Sequence, residues 1–394
     1  MYSHWVGLYS IIIASKKHSR AVGSPLQNKT LKILTINFGG IGDEILFLPT
    51  LESIRKAYPS AHLTLLLEPR SRSFEQVTNL IDATITFDIK KRPLLPTDLL
   101  QLLSLIRNGK YDMVISSGGS PQVAALLFLS GIKERIGYAS NKIAKALLTK
   151  QIPLNKDQYA AAMYQDLATG VGQPKLSPSE CIPRAILKSD SLKRMEEFIS
   201  NSFGSTAENK STISSANQRI IIHPGTSRLA VQKGIIKTWD TDNWLELINR
   251  LRVREDLEIV LAGGPDDEEI IAALLPRLKT GKGLVSAVGH TKSLADLGAL
   301  ISYCDFLVCV DSAPMHLAVA LGTPVVAMFG PTDETKLLPP MSKFKAVRDK
   351  PLSEVPRQMQ DGLGVKVEPE IVYQAVIDQL HDIKAARNSQ TQVR

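Results

Sequence analysis

Asp43 closes the run NFGGIGD, residues 37–43, directly behind LKILTI, an apolar stretch of strand length. A carboxylate at the tip of a first strand can take a proton from a hydroxyl as that hydroxyl attacks an electrophile. The competing reading is a plain helix N-cap, worth about 1 kcal/mol, because free N–H groups and the macrodipole favour an anion there. Gly39, Gly40 and Gly42 form a turn that lets another molecule approach the backbone closely. Pro49, a turn later, should break or restart the helix. A dinucleotide fingerprint would need a third glycine where Ile45 stands, and no Gly-Lys-Ser/Thr of a P-loop follows. Glu68, after the second strand, is a poor substitute for the acid that would hold a ribose.

A second group of polar residues lies in VDSAPMHLAVALGTPVVAMFGPTD, residues 310–333. Asp311 ends the apolar run DFLVCV, Ser312 suits an N-cap, and Pro314 suits a first helical turn. The N–H groups that open this helix, at Ala313, would face an anion, and His316 lies one turn in, looking into a cleft. In HPGTSRLAVQKGIIKTW, residues 223–239, Thr226 and Ser227 offer hydroxyl and backbone donors, and Lys237 offers a point charge to a diphosphate. Trp239 reads as core. In LAGGPDDEE the acids, Glu268 among them, could hold ribose hydroxyls or cap a helix, and Thr332 in FGPTD is a further hydroxyl. These loops together describe a nucleotide-diphosphate pocket. No Asp, Glu or His cluster has metal-ligand spacing, so no metal and no cofactor is expected; a lysine and a helix terminus could neutralise the leaving phosphates.

The elements that must position these residues alternate. LKILTI, HLTLLL, ATITF and YDMVIS read as strands separated by helical stretches such as LESIRKAY and TDLLQLLSLIRNG. Such alternation predicts α/β architecture with parallel strands covered on both faces. A second series runs from RIIIH through LEIVLAGG and DFLVCV to PVVAMFG. Two doubly wound halves are therefore expected, with ligands outside the carboxyl ends of the strands and the cleft between the halves as the site. The predicted layout is a flexible leader over 1–29, a first domain over 30–203, a polar linker over 204–218, a second domain over 219–385 and a disordered tail over 386–394.

Composition narrows the classes. The chain has 394 residues, 44% hydrophobic, 22% charged and only 6% aromatic, with a net charge of +8. That excludes a polybasic nucleic-acid arm and leaves anionic small ligands or an anionic membrane surface. Cys181, Cys304 and Cys309 form neither a disulfide framework nor a zinc site, and fit a reducing cytoplasm. WVGLYSIIIA followed by KKHSR is too short to span a bilayer, and its cations lie on the wrong side for a secretory signal. A weak interfacial anchor is the second reading.

With these residues in place, the chain resembles glycosyltransferase family 9, the heptosyltransferase family of bacterial lipopolysaccharide synthesis. The resemblance covers roughly residues 31–340 and rests on ILTINFGGIGDEILFLPTLESIRKAYP, IIIHPGTS with KTW, LAGGPDDEE and DSAPMHLAVALGTPVVAMFGPTD. It implies a GT-B fold of two Rossmann-like domains, the donor held by the second. It implies inverting transfer of a heptose from an ADP-linked donor without a metal, Asp43 as catalytic base, Lys237 as donor-phosphate lysine, and Asp311, Ser312, Pro314 and His316 as the diphosphate block. The acceptor would be a glycan or an acidic lipid-linked one, reached in the cytoplasm or peripherally at the inner face of the membrane, and no nucleic acid is expected. Ala313 replaces the family's glycine, and Asn37 stands where many members carry a basic residue. Arg70, Arg72 and Arg135 are candidates to bind an acidic acceptor, with surface solvation as the alternative. Two other functions stay open: a nucleotide-sugar 2-epimerase on the same architecture, and a non-catalytic nucleotide-sugar-binding protein.

Overall fold

Strands of three to six residues, most of them apolar and separated by helices, give two parallel sheets in the computed structural model. It describes residues 30–91, 93–204, 217–232, 234–278, 281, 283–354 and 364–392, so the expected leader and most of the expected linker lie outside the described residues. In the first lobe the strands are β1 (Lys32–Ile36), β2 (His62–Leu67), β3 (Ala83–Thr86), β4 (Met113–Ser116), β5 (Glu134–Tyr138) and β6 (Lys150–Ile152), in the order β3-β2-β1-β4-β5-β6. In the second they are β7 (Gln218–His223), β8 (Leu257–Leu261), β9 (Leu284–Ser286), β10 (Phe306–Val310), β11 (Val325–Met328) and β12 (Phe344–Val347), in the order β12-β11-β10-β7-β8-β9. Each sheet reverses its winding once, between β1 and β4 and between β7 and β10. Those switch points are where a parallel sheet opens a crevice.

The helices of the first lobe are α1 (Ile41–Leu46), α2 (Leu48–Ala57), α3 (Pro96–Asn108), α4 (Pro121–Leu129), α5 (Lys142–Leu147), α6 (Ala160–Gln165) and α7 (Ser189–Phe203). Those of the second are α8 (Arg228–Gln232), α9 (Thr241–Arg252), α10 (Glu268–Leu274), α11 (Leu294–Ser302), α12 (Ala313–Ala320), α13 (Glu334–Leu337) and α14 (Pro369–Gln392). Pro49 restarts the chain as expected: α1 stops at Leu46 and α2 begins with Pro49 in its first turn. Gly204 ends α7 in the left-handed region at φ 68°.

Helices α3, α4 and α5 cover one face of the first sheet around Leu34, Val114, Leu102 and Leu127. Helices α9, α10 and α14 cover one face of the second around Ile220, Trp244 and Val376. The facing sides of the two sheets share one continuous core that includes Leu51 and Ile199 of the first lobe and Leu300 and Leu317 of the second. Helix α7 precedes the linker in sequence yet packs on α11, with Arg194 bonded to Asp296 at 2.6 Å. The second lobe ends differently from the expectation of a disordered tail from 386: α14 continues through Gln392. Trp239 is core, its indole bonded to the Val367 carbonyl at 2.9 Å, and all three cysteines are buried.

Candidate active site

The first switch point is built by β1, α1 and the end of β4. Asp43 is the third residue of α1 rather than its cap, and Gly40 occupies the cap position. One carboxylate oxygen, Oδ2, accepts the Gly40 N–H at 2.8 Å. The other, Oδ1, accepts the Tyr164 hydroxyl at 3.3 Å. Tyr164 stands edge-on to Phe47 with ring centroids 5.7 Å apart. Burial, then the Asp43 charge, pushes the Tyr164 pKa well up, so the phenol stays a donor. Asp43 is half-buried and held at both oxygens, as a group needs to be if it is to take a proton in a fixed direction.

Two neighbours complete this lobe. The Asn37 side chain is buried and gives its amide to the Glu44 carboxylate at 3.2 Å and to the Asp43 carbonyl at 3.3 Å. Ser117 donates to the Asn37 carbonyl oxygen at 2.7 Å across the switch point. Asn37 is thus scaffold. Glu44 is fully buried with Oε1 unpartnered, and burial, with the Asp43 charge adding, raises its pKa well above the carboxylate range.

Two of the glycines serve internal packing. A Cβ on Gly39 would lie 2.1 Å from the Asp43 Cβ, and one on Gly42 would lie 2.7 Å from His316 Cδ2 in the other lobe. At these two positions the close approach is made by the protein itself, whereas a Cβ on Gly40 would meet only Asp43 Oδ2 at 3.8 Å. Helix α1 lies directly on α12, so both helices that follow the central switch-point strands meet near their first turns.

At the second switch point Asp311 is buried, and one of its oxygens takes both the Lys237 ammonium at 2.6 Å and the Thr332 hydroxyl at 2.7 Å. Lys237 and Thr332 are therefore ordered by Asp311. Ser312 is the N-cap of α12, but its hydroxyl bonds back to the Val310 carbonyl at 3.2 Å and leaves the first turn, from Ala313 on, without a side-chain cap. His316 is buried with Nδ1 unpartnered. Burial lowers its pKa against the opposing pull of Asp311 and Asp43, so the ring is neutral at pH 7.

Loops after β7, β8 and β11 adjoin this cluster because those strands lie beside β10 or one strand away. Thr226 is half-exposed and Ser227 exposed at the end of β7. In LAGGPDDEE the buried acid is Asp267: it accepts the Gly264 N–H at 2.7 Å and lies 3.4 Å from His223 Nε2. Glu268 is exposed at the start of α10. Arg348, unmarked in the sequence reading, ties the FGPTD loop by donating to the Gly330 carbonyl at 2.9 Å and to the Thr332 carbonyl. Nothing local in the sequence flags Arg348 or Tyr164.

The three arginines part company. Arg70 lies 3.4 Å from the buried Glu68, and Arg72 lies 3.7 Å from Glu75 on the surface. Arg135 sits near the start of β5, the far end from the cleft, and its guanidinium donates to the carbonyls of Ile132 at 2.6 Å and Leu147 at 2.9 Å. That withdraws it from any acceptor role: it anchors backbone. Among the described residues no group of three His, Cys, Asp or Glu side chains is placed to hold a metal ion.

Two doubly wound lobes that set a held carboxylate, Asp43, and a cluster of Lys237, Asp311 and Thr332 at facing switch points make up the GT-B arrangement. The model of "Glycosyltransferase family 9 (heptosyltransferase)" matches residues 99–361, more than half of the chain, and the protein belongs to that family of glycosyltransferases. The matched stretch holds the 223–239, 261–269 and 310–333 blocks and begins after Asp43. Over 301 residues the chain is 25% identical to lipopolysaccharide heptosyltransferase 3 of Escherichia coli, covering 74% of this chain and 81% of that one. Over 321 residues it is 24% identical to lipopolysaccharide heptosyltransferase 2 of Escherichia coli K12, covering 81% and 88%. The fold matches the solved E. coli ADP-heptose heptosyltransferase II with a TM-score of 0.65 at 21% identity, covering 90% of this chain and all of that one.

Proposed function

We propose that the protein is an inverting transferase that moves a sugar, a heptose from ADP-heptose, onto a hydroxyl of a lipopolysaccharide-core-like acceptor. The reading is supported above all by the seat of α1 on α12, which sets Asp43 opposite the Lys237–Asp311–Thr332 cluster. In the proposed step the acceptor oxygen attacks the anomeric carbon from the side of the first lobe. Asp43 takes the hydroxyl proton as the new C–O bond forms. The bond to the nucleoside diphosphate breaks on the opposite face. Its developing charge meets Lys237, the hydroxyls of Thr226 and Ser227, and the open first turn of α12. Asp311 holds the lysine in place before the donor arrives, and Glu268, exposed at the start of α10, is the candidate for a ribose hydroxyl. Arg70 and Arg72 remain the candidates for an acidic acceptor. The acceptor's lipid would bring the protein to the inner face of the cytoplasmic membrane.

Two measurements test this. ADP-, UDP- and GDP-sugars are compared by thermal shift; a donor at a hundred times its Kd stabilises by about 2.7 kcal/mol. Asp43→Ala is then assayed for transfer and for donor affinity. The expected outcome is a loss of about 10² to 10⁴ in kcat with donor Kd unchanged. Turnover that survives the substitution removes Asp43 as the base. A donor isomerised in the absence of acceptor would favour the epimerase instead.

A further inference from the structure

The outer layer α3, α4 and α5 of the first lobe has a surface unlike the rest of the molecule. Half of the large apolar side chains exposed among the described residues lie on it or at its edge: Leu95, Leu99, Leu100, Phe128, Leu129 and Ile143, each between 44% and 65% exposed. Helix α4, PQVAALLFL, is apolar on every side although only Ala124 and Leu127 are buried. The three helices carry the cations Arg107, Lys142 and Lys145 and a single carboxylate, Asp98. That carboxylate caps α3 through the Leu95 N–H at 2.8 Å and pairs with Lys91 at 3.2 Å. Leu95, Leu99, Leu100 and Ile143 lie at the end of this layer where α3 and α5 begin, beside Lys142 and Lys145, whereas Phe128 and Leu129 end α4 at the opposite edge, with Arg135 over the Phe128 ring. Exposed apolar side chains gathered beside cations at one edge mark an interaction site.

We propose that this layer is the face on which the protein docks against an anionic lipid bilayer. The proposal deepens the reading of a lipid-linked acceptor and rests on it. Apolar side chains beside cations, with the acids removed, match the boundary between acyl chains and anionic headgroups. A second copy of the chain is the poorer occupant. A two-fold interface would set the same patch on itself and bring its cations together with only Asp98, already paired with Lys91, to meet them. The position also suits the chemistry. Helices α3 and α5 follow β3 and β5 of a parallel sheet, so their first turns, with Leu99, Leu100 and Ile143, lie at the carboxyl edge of the sheet. Asp43 stands at that same edge. Docking there places the acceptor side of the cleft beside the headgroups.

The test is flotation of the full-length protein with vesicles of phosphatidylcholine, with and without phosphatidylglycerol. Residues 1–29 stay intact in every variant. The expected result is binding to the anionic vesicles that weakens with salt. Lys142→Glu with Lys145→Glu, and separately Leu99→Ser with Leu100→Ser and Ile143→Ser, should each lower partitioning by about tenfold or more. Both variants should keep the melting temperature and the rate on a water-soluble acceptor. Variants that float like the parent overturn the proposal, as does an apolar variant that dissociates a dimer in sedimentation. Vesicle binding needs no turnover, so these results stand apart from the Asp43 experiment.

Discussion

The proposed role of Asp43 depends on oxygens already committed in direction. Tyr164 donates to one of them, and Phe at that position keeps the edge contact with Phe47 while deleting the donor. Without that donor the carboxylate is held at one oxygen only, by the Gly40 N–H. Tyr164→Phe should therefore lower kcat by several-fold with donor binding unchanged, and a kcat equal to the parent's would show that the phenol does not hold the carboxylate in place. Glu44 predicts a different pH effect. Its folded-state pKa is raised by burial and by Asp43, so the folded protein holds a proton that the unfolded chain has released. Stability from this site is present below the ordinary carboxylate value of about 4.3 and is lost as pH rises toward the raised one. Glu44→Gln removes that dependence and keeps an acceptor for Asn37. Melting curves of parent and variant should separate as pH rises from 5 to 8, with the variant the more stable; curves that stay parallel refute the assignment.

At the scale of elements, the lobes meet through α1 and α12, and the contact tolerates no side chain at position 42. An alanine there would put its methyl 2.7 Å from the imidazole of His316. Overpacking of a tight contact costs roughly 1–3 kcal/mol. Gly42→Ala should lower stability by that order in urea unfolding and depress kcat/KM, because Asp43 rides on the same helix. Combining it with His316→Ala should recover part of the stability, a non-additivity expected of groups in contact. Strict additivity would show that the helices do not meet in solution.

At the scale of the whole molecule, α7 clasps the lobes together. Arg194 is half-exposed, but its partner Asp296 is buried. Burial alone would raise the Asp296 pKa; hydrogen bonds from Arg194, Ser191 and Ser293 more than offset it and hold the carboxyl low. A depressed carboxyl stabilises the fold above its unfolded value, and that stability is lost as pH falls through the folded one. Arg194→Ala should cost about 1–3 kcal/mol at pH 7, less than a fully buried pair because water screens the arginine. The deficit should narrow below about pH 4. A deficit independent of pH would assign the loss to packing alone.

Sequence by itself determined the class of fold and the chemistry-bearing blocks, because both are local. Apolar runs of strand length marked the central strands of each sheet, and the Asp43 turn and the 310–333 block sit at the ends of such strands. It missed β6, β9 and β12, which have three or four residues and lie at sheet edges, and it missed β5 because Glu134 and Arg135 open that interior strand with charges. Only the tertiary structure decided partners. Tyr164 reaches Asp43 across 121 positions, and Gly42 faces His316 in the other lobe. Asp311 takes up Lys237, and Arg135 turns away to its own backbone. A side chain's type and neighbours in sequence fix what it can bond; which bond it makes depends on what packing brings within about 3 Å of it.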